Sequence, residues 1–119
     1  MIERAVAEGW ARDWIDAWNR HDLDGVMAHY AEALEFVSPL VARRLGRADG
    51  TIRTRAALRD YFAASLGPGS TLRFDLRAVL VGVGSYTVLY ANHRGQEVAE
   101  TAFPDAAGRI ARAYVHHGG

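Results

Sequence analysis

Residues 21–39 read HDLDGVMAHYAEALEFVSP, and this stretch is the most informative part of the chain. It follows a segment in which apolar residues recur every four positions, which predicts an amphipathic helix over residues 2–19. These apolar residues are Ile2, Val6, Trp10, Trp14 and Trp18. Asp22 is placed to cap a second, short helix that runs to about residue 30. We expect the first strand to follow over residues 34–40.

The middle of the chain predicts a loop and then a third helix. Residues 43–53 are polar and contain two glycines, which indicates a loop with at most a short strand pair. Thr54 is typical of a helix N-cap. The residues after it predict a helix with a core face, which Gly67-Pro68-Gly69 ends. That face carries Leu58, Tyr61, Phe62, Ser65 and Leu66.

The C-terminal half has the pattern of an antiparallel sheet. Apolar residues alternate with charged ones over residues 72–80, which predicts a strand with one buried face. Residues 85–93 and 96–103 form a predicted hairpin around Arg94-Gly95, and a last strand spans residues 109–117. Gly82 to Gly84 forms a predicted turn, since no helix follows to hold a phosphate group. Helices followed by strands indicate the α+β class.

Composition limits the possible functions. The chain has 119 residues, half of them hydrophobic, which suits one domain over residues 1–119. Fourteen arginines balance fourteen acidic residues, so nucleic acid is not an expected partner. The absence of lysine and cysteine excludes Schiff-base chemistry, thiolate nucleophiles and disulfides. No membrane span or signal-like segment is evident, and we expect a cytoplasmic location.

The 21–39 stretch, with the helix before it and the strands after it, resembles the entry to a SnoaL-like, or nuclear transport factor 2-like, domain. The resemblance implies a cone in which three N-terminal helices pack on a curved antiparallel sheet and enclose a pocket. Proteins of this fold have many unrelated activities, so the resemblance predicts a pocket but names no reaction.

Within that fold, the helix-to-strand segment is most similar to the ketosteroid isomerases. In that family a carboxylate moves a proton, and a tyrosine and a protonated acid hold the oxyanion. The resemblance places Ser38 at the position of the base, Trp14 at that of the tyrosine and Ala99 at that of the acid. A neutral serine hydroxyl is a poor base, an indole can donate one hydrogen bond but cannot transfer a proton at neutral pH, and alanine has no polar group. We therefore reject that isomerase mechanism for this chain.

Other residues are candidates for acid/base catalysis. Glu100, His117 and Tyr61 could form a small proton-transfer site near the open end of the cone. The opposing interpretation places Glu100 on the outer, dimer-forming face of the sheet, because counting from Phe103 puts Ala99 inside, and assigns His116 and His117 to a frayed terminus. Strand parity and the terminal position of the histidines favour this second interpretation.

The pocket is expected to bind a small apolar or aromatic organic molecule. Its predicted lining is Trp14, Trp18, Tyr30, Phe36, Ser38, Phe62, Thr101 and Phe103. No cofactor is expected, and no histidine spacing predicts a metal site. The alternative function is a non-catalytic module that associates with other proteins. Both versions predict a homodimer through an outer sheet face that carries Val79, Val88 and Tyr114.

Overall fold

The computed structural model describes residues 1–118 as four helices and one six-stranded sheet. The helices are α1 (Arg4–Asn19), α2 (Leu23–Met27), α3 (Pro39–Leu45) and α4 (Arg55–Ala63). The strands are β1 (Tyr30–Val37), β2 (Thr51–Thr54), β3 (Asp75–Val81), β4 (Tyr86–Ala91), β5 (Glu97–Pro104) and β6 (Ile110–His117). The predicted domain also includes Gly119, which lies outside the described residues.

The sheet has the order β2-β1-β6-β5-β4-β3. All neighbouring strands are antiparallel except β1 and β6, which pair in parallel. The long connection through the other elements lets β6 return beside β1 in the same direction, as a parallel pair requires. The α+β class, with helices packed on one curved sheet, is confirmed. The prediction was a sheet that is antiparallel throughout, whereas the observed sheet is mixed.

Helix α1 packs on the sheet through small and aromatic residues. Its buried side chains are Ala7, Ala11, Trp14, Ile15, Ala17 and Trp18. Val6, which the four-residue spacing places on the core face, is 42% exposed. Four residues turn an α-helix about 40° past a full circle, so a strict four-residue stripe moves off the buried face. The least exposed residues of the helix are instead the alanines Ala7, Ala11 and Ala17.

Two predicted helix caps are confirmed. The Asp22 carboxylate accepts a hydrogen bond from the Gly25 N–H at 3.0 Å at the start of α2. The Thr54 hydroxyl accepts one from the Ala57 N–H at 3.2 Å at the start of α4. Each cap satisfies a backbone donor that a helix leaves unpaired at its first turn.

A fourth helix, α3, replaces the end of the predicted first strand and the start of the predicted loop. Strand β1 ends at Val37, and the Ser38 hydroxyl caps α3 by accepting from the Leu40 N–H at 3.2 Å. Pro39 occupies the first helical position, and Gly46 ends the helix with φ at +63°. These are typical start and stop signals, but a helix of two turns is too short to show a periodic stripe.

The concave face of the sheet packs against the helices. Its buried residues on β4, β5 and β6 are Tyr86, Val88, Tyr90, Val98, Ala102, Ala113 and Val115. Two side chains predicted on the outer face, Val79 and Val88, therefore belong to the core. A register shift between Leu76 and Ala78 inverts the alternation of β3, so Val79 is buried and Leu80 is exposed.

The outer face of the sheet does carry Tyr114, as predicted. Its ring packs against Phe103, with centroids 5.8 Å apart. Homodimerisation through this face stays a prediction. None of the helices in residues 1–118 is both long and apolar enough to cross a membrane.

Candidate functional site

A cavity of about 560 Å³ lies between the helices and the concave face of the sheet. Its volume falls within the range of pockets that hold small organic ligands. The lining combines aromatic and aliphatic residues with polar residues from the surrounding loops. The apolar set is Trp18, Phe36, Leu40, Phe62, Leu72, Phe74, Val98 and Val115, and the polar set includes Ser38, Tyr61, Tyr90, Asn92, His93, Glu100 and His117.

Aromatic rings form the deep wall of the cavity. The rings of Trp18 and Phe62 meet edge to face with centroids 4.8 Å apart, and those of Phe74 and Tyr90 lie 4.5 Å apart. Such contacts hold the side chains in fixed rotamers. The wall is therefore suited to the flat face of an apolar ligand.

Strand β5 positions Glu100 at this wall. Glu100 pairs with Val88 on β4 and Val115 on β6, and all three side chains face the helices. The Tyr90 phenol donates a hydrogen bond to Glu100 Oε1 at 3.2 Å. Burial raises the pKa of Glu100 to about 7, against the opposing effect of the Tyr90 hydrogen bond. Both protonation states of this carboxyl are thus populated near neutral pH.

Four tyrosines lie close enough to Glu100 for its charge to affect their pKa values. Burial raises the pKa of Tyr30, Tyr61, Tyr86 and Tyr90, and the negative charge of Glu100 adds to the rise in each case. Their phenols consequently stay protonated at neutral pH. They can donate hydrogen bonds but cannot act as bases there.

The inward direction of Glu100 corrects the prediction from strand parity. That prediction treats Phe103 as an inward residue, whereas Phe103 faces outward and packs against Tyr114. Every second residue of β5 from Val98 onward faces inward, and these residues include Glu100 and Ala102. The pairing of β4 with β5 is regular over this region, so no bulge is needed to turn Glu100 into the cavity.

The other two predicted catalytic residues lie at the same cavity. Tyr61, from α4, is half-buried beside Ser38 and has the Arg44 guanidinium 5.8 Å from its ring centroid. His117, near the end of β6, has both ring nitrogens buried without a hydrogen-bond partner among residues 1–118. Burial lowers the pKa of His117, and the charges of Arg43 and Arg44 lower it further. His117 is accordingly neutral at physiological pH.

Four of the eight residues predicted to line the pocket contribute to the wall of this cavity. Trp18, Phe36, Ser38 and Phe62 line the cavity. Trp14 and Tyr30 lie behind its wall in the core, where the Trp14 indole donates to the Tyr30 hydroxyl at 3.2 Å.

Two further residues in the predicted lining lie on the other side of the sheet. The Thr101 hydroxyl is 2.8 Å from that of Thr87, and Phe103 packs against Tyr114. Alternation along β5 turns both away from the helices, because Glu100 and Ala102 take the inward positions.

Basic residues that the sequence did not predict as part of the site also line the cavity. Arg43 and Arg44 come from the last turn of α3, and Arg94 comes from the turn between β4 and β5. The signal for the first two is the Ser38-Pro39 start and Gly46 end of a short helix. Without that helix, nothing in the sequence indicates that the pair faces a pocket.

Comparison with known proteins identifies the family. Residues 11–117 match the model of the SnoaL-like domain. The chain belongs to the SnoaL-like family. A SnoaL-like protein of unknown function from Burkholderia thailandensis E264 has 32% sequence identity and a TM-score of 0.88, over 99% of this chain and 98% of that one. No curated protein is significantly similar to this chain in sequence.

More distant structures share the fold of this SnoaL-like domain. The epoxide hydrolase/cyclase-like enzyme SalBIII, with a role in pyran ring formation in the polyether salinomycin, has 16% identity and a TM-score of 0.76 over 99% of this chain and 95% of its own. A protein of unknown function with a cystatin-like fold from Methylobium petroleophilum PM1 has 16% identity and a TM-score of 0.74, over 99% and 79% of the two chains. At these identities the similarity is one of fold alone.

Proposed function

We propose that this SnoaL-like domain is an acid/base catalyst for a small, largely apolar organic molecule. Glu100 transfers the proton, and the aromatic wall of the cavity holds the substrate. The observation that carries this proposal is one ionisable carboxyl, with a pKa of about 7, set into a wall of aromatic and aliphatic side chains. A buried carboxyl costs stability, so its presence in a cavity indicates a use.

The position of Glu100 suits proton transfer in both directions. A catalytic group works best when its pKa is near the working pH, because it then has both a usable proton and an available acceptor form. The Tyr90 phenol holds Oε1, which leaves the other carboxyl oxygen available to the substrate. Glu100 can therefore take a proton from one atom of a substrate and return it to another.

A donor on the cavity wall is suited to stabilising negative charge on a substrate oxygen. The Tyr61 phenol is such a donor, because Tyr61 lines the cavity and lies near enough to Glu100 for that charge to act on it. Pre-positioned donors of this kind lower the barrier to enolate or alkoxide formation by about 3 kcal/mol each.

The site is suited to isomerisation, cyclisation, dehydration or hydrolysis of a substrate that carries a carbon-bound oxygen. Each of these reactions needs one proton removed and one delivered, which a single carboxyl of intermediate pKa can perform. The fold similarity to an epoxide hydrolase/cyclase-like enzyme is compatible with this range. The substrate is expected to be flat and apolar where it meets Trp18, Phe62 and Phe74.

The second candidate is a non-catalytic module that dimerises and associates with other proteins. A cone filled by Trp14, Trp18 and Phe62 would favour that function. Trp14 instead lies behind the wall, and the cavity keeps a volume of about 560 Å³ with a carboxyl inside. These features favour catalysis.

The test compares Glu100→Gln with Glu97→Gln, an exposed glutamate on the same strand. Both are assayed for turnover of β,γ-unsaturated ketones, β-hydroxy ketones and hydroxy-epoxides with aromatic substituents. For any substrate the wild type converts, Glu100→Gln should lower kcat/KM by at least about a hundredfold, and Glu97→Gln should leave it unchanged. Equal turnover by the two variants would exclude Glu100 as the proton carrier.

A further inference from the structure

The open end of the cavity is basic. Arg43 and Arg44 contribute to its lining from the last turn of α3, and Arg94 does so from the turn between β4 and β5. All three residues are exposed. The acid/base proposal assigns them no role.

The three arginines lie near the end of β6. His117 on β6 pairs with Val98, and the Gln96 side-chain amide donates to the Gly118 carbonyl at 3.0 Å. The end of β6 therefore lies beside the hairpin turn that carries Arg94. Arg43 and Arg44, on α3, are near enough to His117 for their charges to act on its ring.

The three guanidinium groups have no carboxylate partner within residues 1–118. The ion pairs in that range involve other arginines. Arg44 donates to the Ser65 hydroxyl at 3.3 Å and lies over the Tyr61 ring, and both are neutral groups. The positive charge at the open end, or mouth, of the cavity is thus available to a ligand.

Glu100 lies deeper than this basic end. It is two residues from Val98 along β5, about 7 Å farther from the hairpin turn. Among the described residues, Glu100 contributes the only carboxyl of the lining. A negatively charged ligand group is therefore repelled at the bottom of the cavity and attracted at its mouth.

His117 lies between the two regions, and its ring nitrogens have no hydrogen-bond partner among residues 1–118. Unpaired buried imidazole nitrogens are uncommon. These two have almost no accessible surface, so a ligand oxygen in the cavity does not reach them in this geometry. Recognition of a ligand charge at this end of the cavity therefore depends on the arginines.

We propose that the ligand of this cavity is an amphipathic organic carboxylate, with its apolar body on the aromatic wall and its carboxylate held by Arg43, Arg44 and Arg94. The inference builds on the proposed function, since it names the substrate class of the same cavity. It also fixes orientation, because the carboxylate end stays at the mouth and the opposite end of the substrate reaches Glu100.

The test uses two probes with the same pyrene ring and chain length, 1-pyrenebutyrate and 1-pyrenebutanol, which end in a carboxylate and a neutral hydroxyl respectively. Their affinities are measured by pyrene fluorescence for the wild type and for the Arg43→Gln/Arg44→Gln/Arg94→Gln variant. The control variant replaces Arg12, Arg73 and Arg77, which are exposed and do not line the cavity, by glutamine. It lowers the net charge equally, and circular dichroism checks the fold of both.

The wild type and the control should bind the butyrate at least about tenfold more tightly than the butanol. The variant in which Arg43, Arg44 and Arg94 are replaced by glutamine, here called the mouth variant, should lose this preference and keep its affinity for the butanol. Raising salt from about 50 to about 500 mM should weaken the binding of the butyrate alone. The salt series needs no variant, so it tests the charge effect even if the mouth variant fails to fold.

Equal affinity of the wild type for the two probes would overturn the carboxylate proposal and leave the acid/base proposal standing. The same holds if the mouth variant keeps the preference for the butyrate. Failure of the wild type to bind either probe would count against both proposals, because both require an apolar wall that accepts a flat ring system.

Discussion

Tyr90 and Glu100 lie diagonally across neighbouring strands, and the Tyr90 phenol donates to Glu100 Oε1 at 3.2 Å. The hydrogen bond favours the ionised carboxylate, while burial favours the protonated acid. Burial has the larger effect, so the pKa of Glu100 lies at about 7 instead of near 4.5. Several measurable consequences depend on this pair.

Glu100→Gln should change how stability depends on pH. Between about pH 4.5 and 7 the folded protein keeps the Glu100 proton that the unfolded chain releases. The free energy of unfolding therefore falls as pH rises through this window. Glutamine cannot ionise, so Glu100→Gln should not show this fall. The free energy of unfolding of the variant minus that of the wild type should therefore be larger above the window than below it, by on the order of 3 kcal/mol. Urea unfolding below and above the window measures the difference, and a constant difference would contradict the prediction.

Tyr90→Phe should raise the pKa of Glu100 above about 7, because the hydrogen bond that stabilises the carboxylate is lost. The pH profile of any Glu100-dependent reaction should move in the same direction. Carboxyl carbon NMR of the labelled protein follows the titration directly. Tyr114→Phe is the control, since its phenol bonds Glu35 on the outer face, and it should leave the Glu100 titration unchanged.

Asn19→Ala should destabilise the protein and loosen the cavity wall. The Asn19 amide donates to the Phe74 carbonyl at 2.9 Å and accepts from the Phe74 N–H at 2.8 Å. Loss of both bonds should cost about 2 kcal/mol in urea unfolding. Because Phe74 lines the cavity, affinity for an aromatic probe should fall as well. Arg20→Ala, at an exposed neighbour, should cost less than about 1 kcal/mol and leave affinity unchanged.

Gly50→Ala should destabilise more than Gly46→Ala, although both glycines have a left-handed φ. A Cβ at Gly50 would lie 2.8 Å from the Ser38 carbonyl oxygen, whereas at Gly46 it would meet nothing within 4 Å. Gly46→Ala should cost about 1–2 kcal/mol from the backbone conformation alone. Gly50→Ala adds a clash with backbone and should exceed that value by at least about 1 kcal/mol. Equal decreases in Tm for the two variants would contradict the prediction, because they would show that the Ser38 segment moves away from the added Cβ at little cost.

The outer sheet face should mediate a homodimer. Leu89, Phe103 and Tyr114 are only partly covered there. Sedimentation equilibrium should give twice the mass of the chain, and Thr101→Arg, in the middle of the face, should give a monomer. Thr71→Arg, at an exposed position outside the strands, is the control and should remain dimeric. A monomeric wild type would exclude this interface.

Local sequence signals predicted much of the fold. The caps at Asp22 and Thr54 and the turn around Gly95 depend on contacts between near neighbours in the chain, so their residue types suffice to place them. Helix α3 was missed because its two turns bury one residue, Val41, and show no periodic stripe. The β3 register shift was missed because alternation alone does not reveal a bulge.

The α+β order, the family resemblance and a set of candidate residues that included Glu100, His117 and Tyr61 could all be predicted from the sequence. Which candidates share a cavity is seen only in the folded chain. Alternation divides a strand into two faces, but long-range packing chooses the face that the helices cover, and here it turned Glu100 inward and Phe103 outward. Packing also brought Arg43 and Arg94, which lie 51 positions apart in the chain, to the same cavity. No local pattern encodes such a contact, because it depends on how six strands and four helices close around a common space.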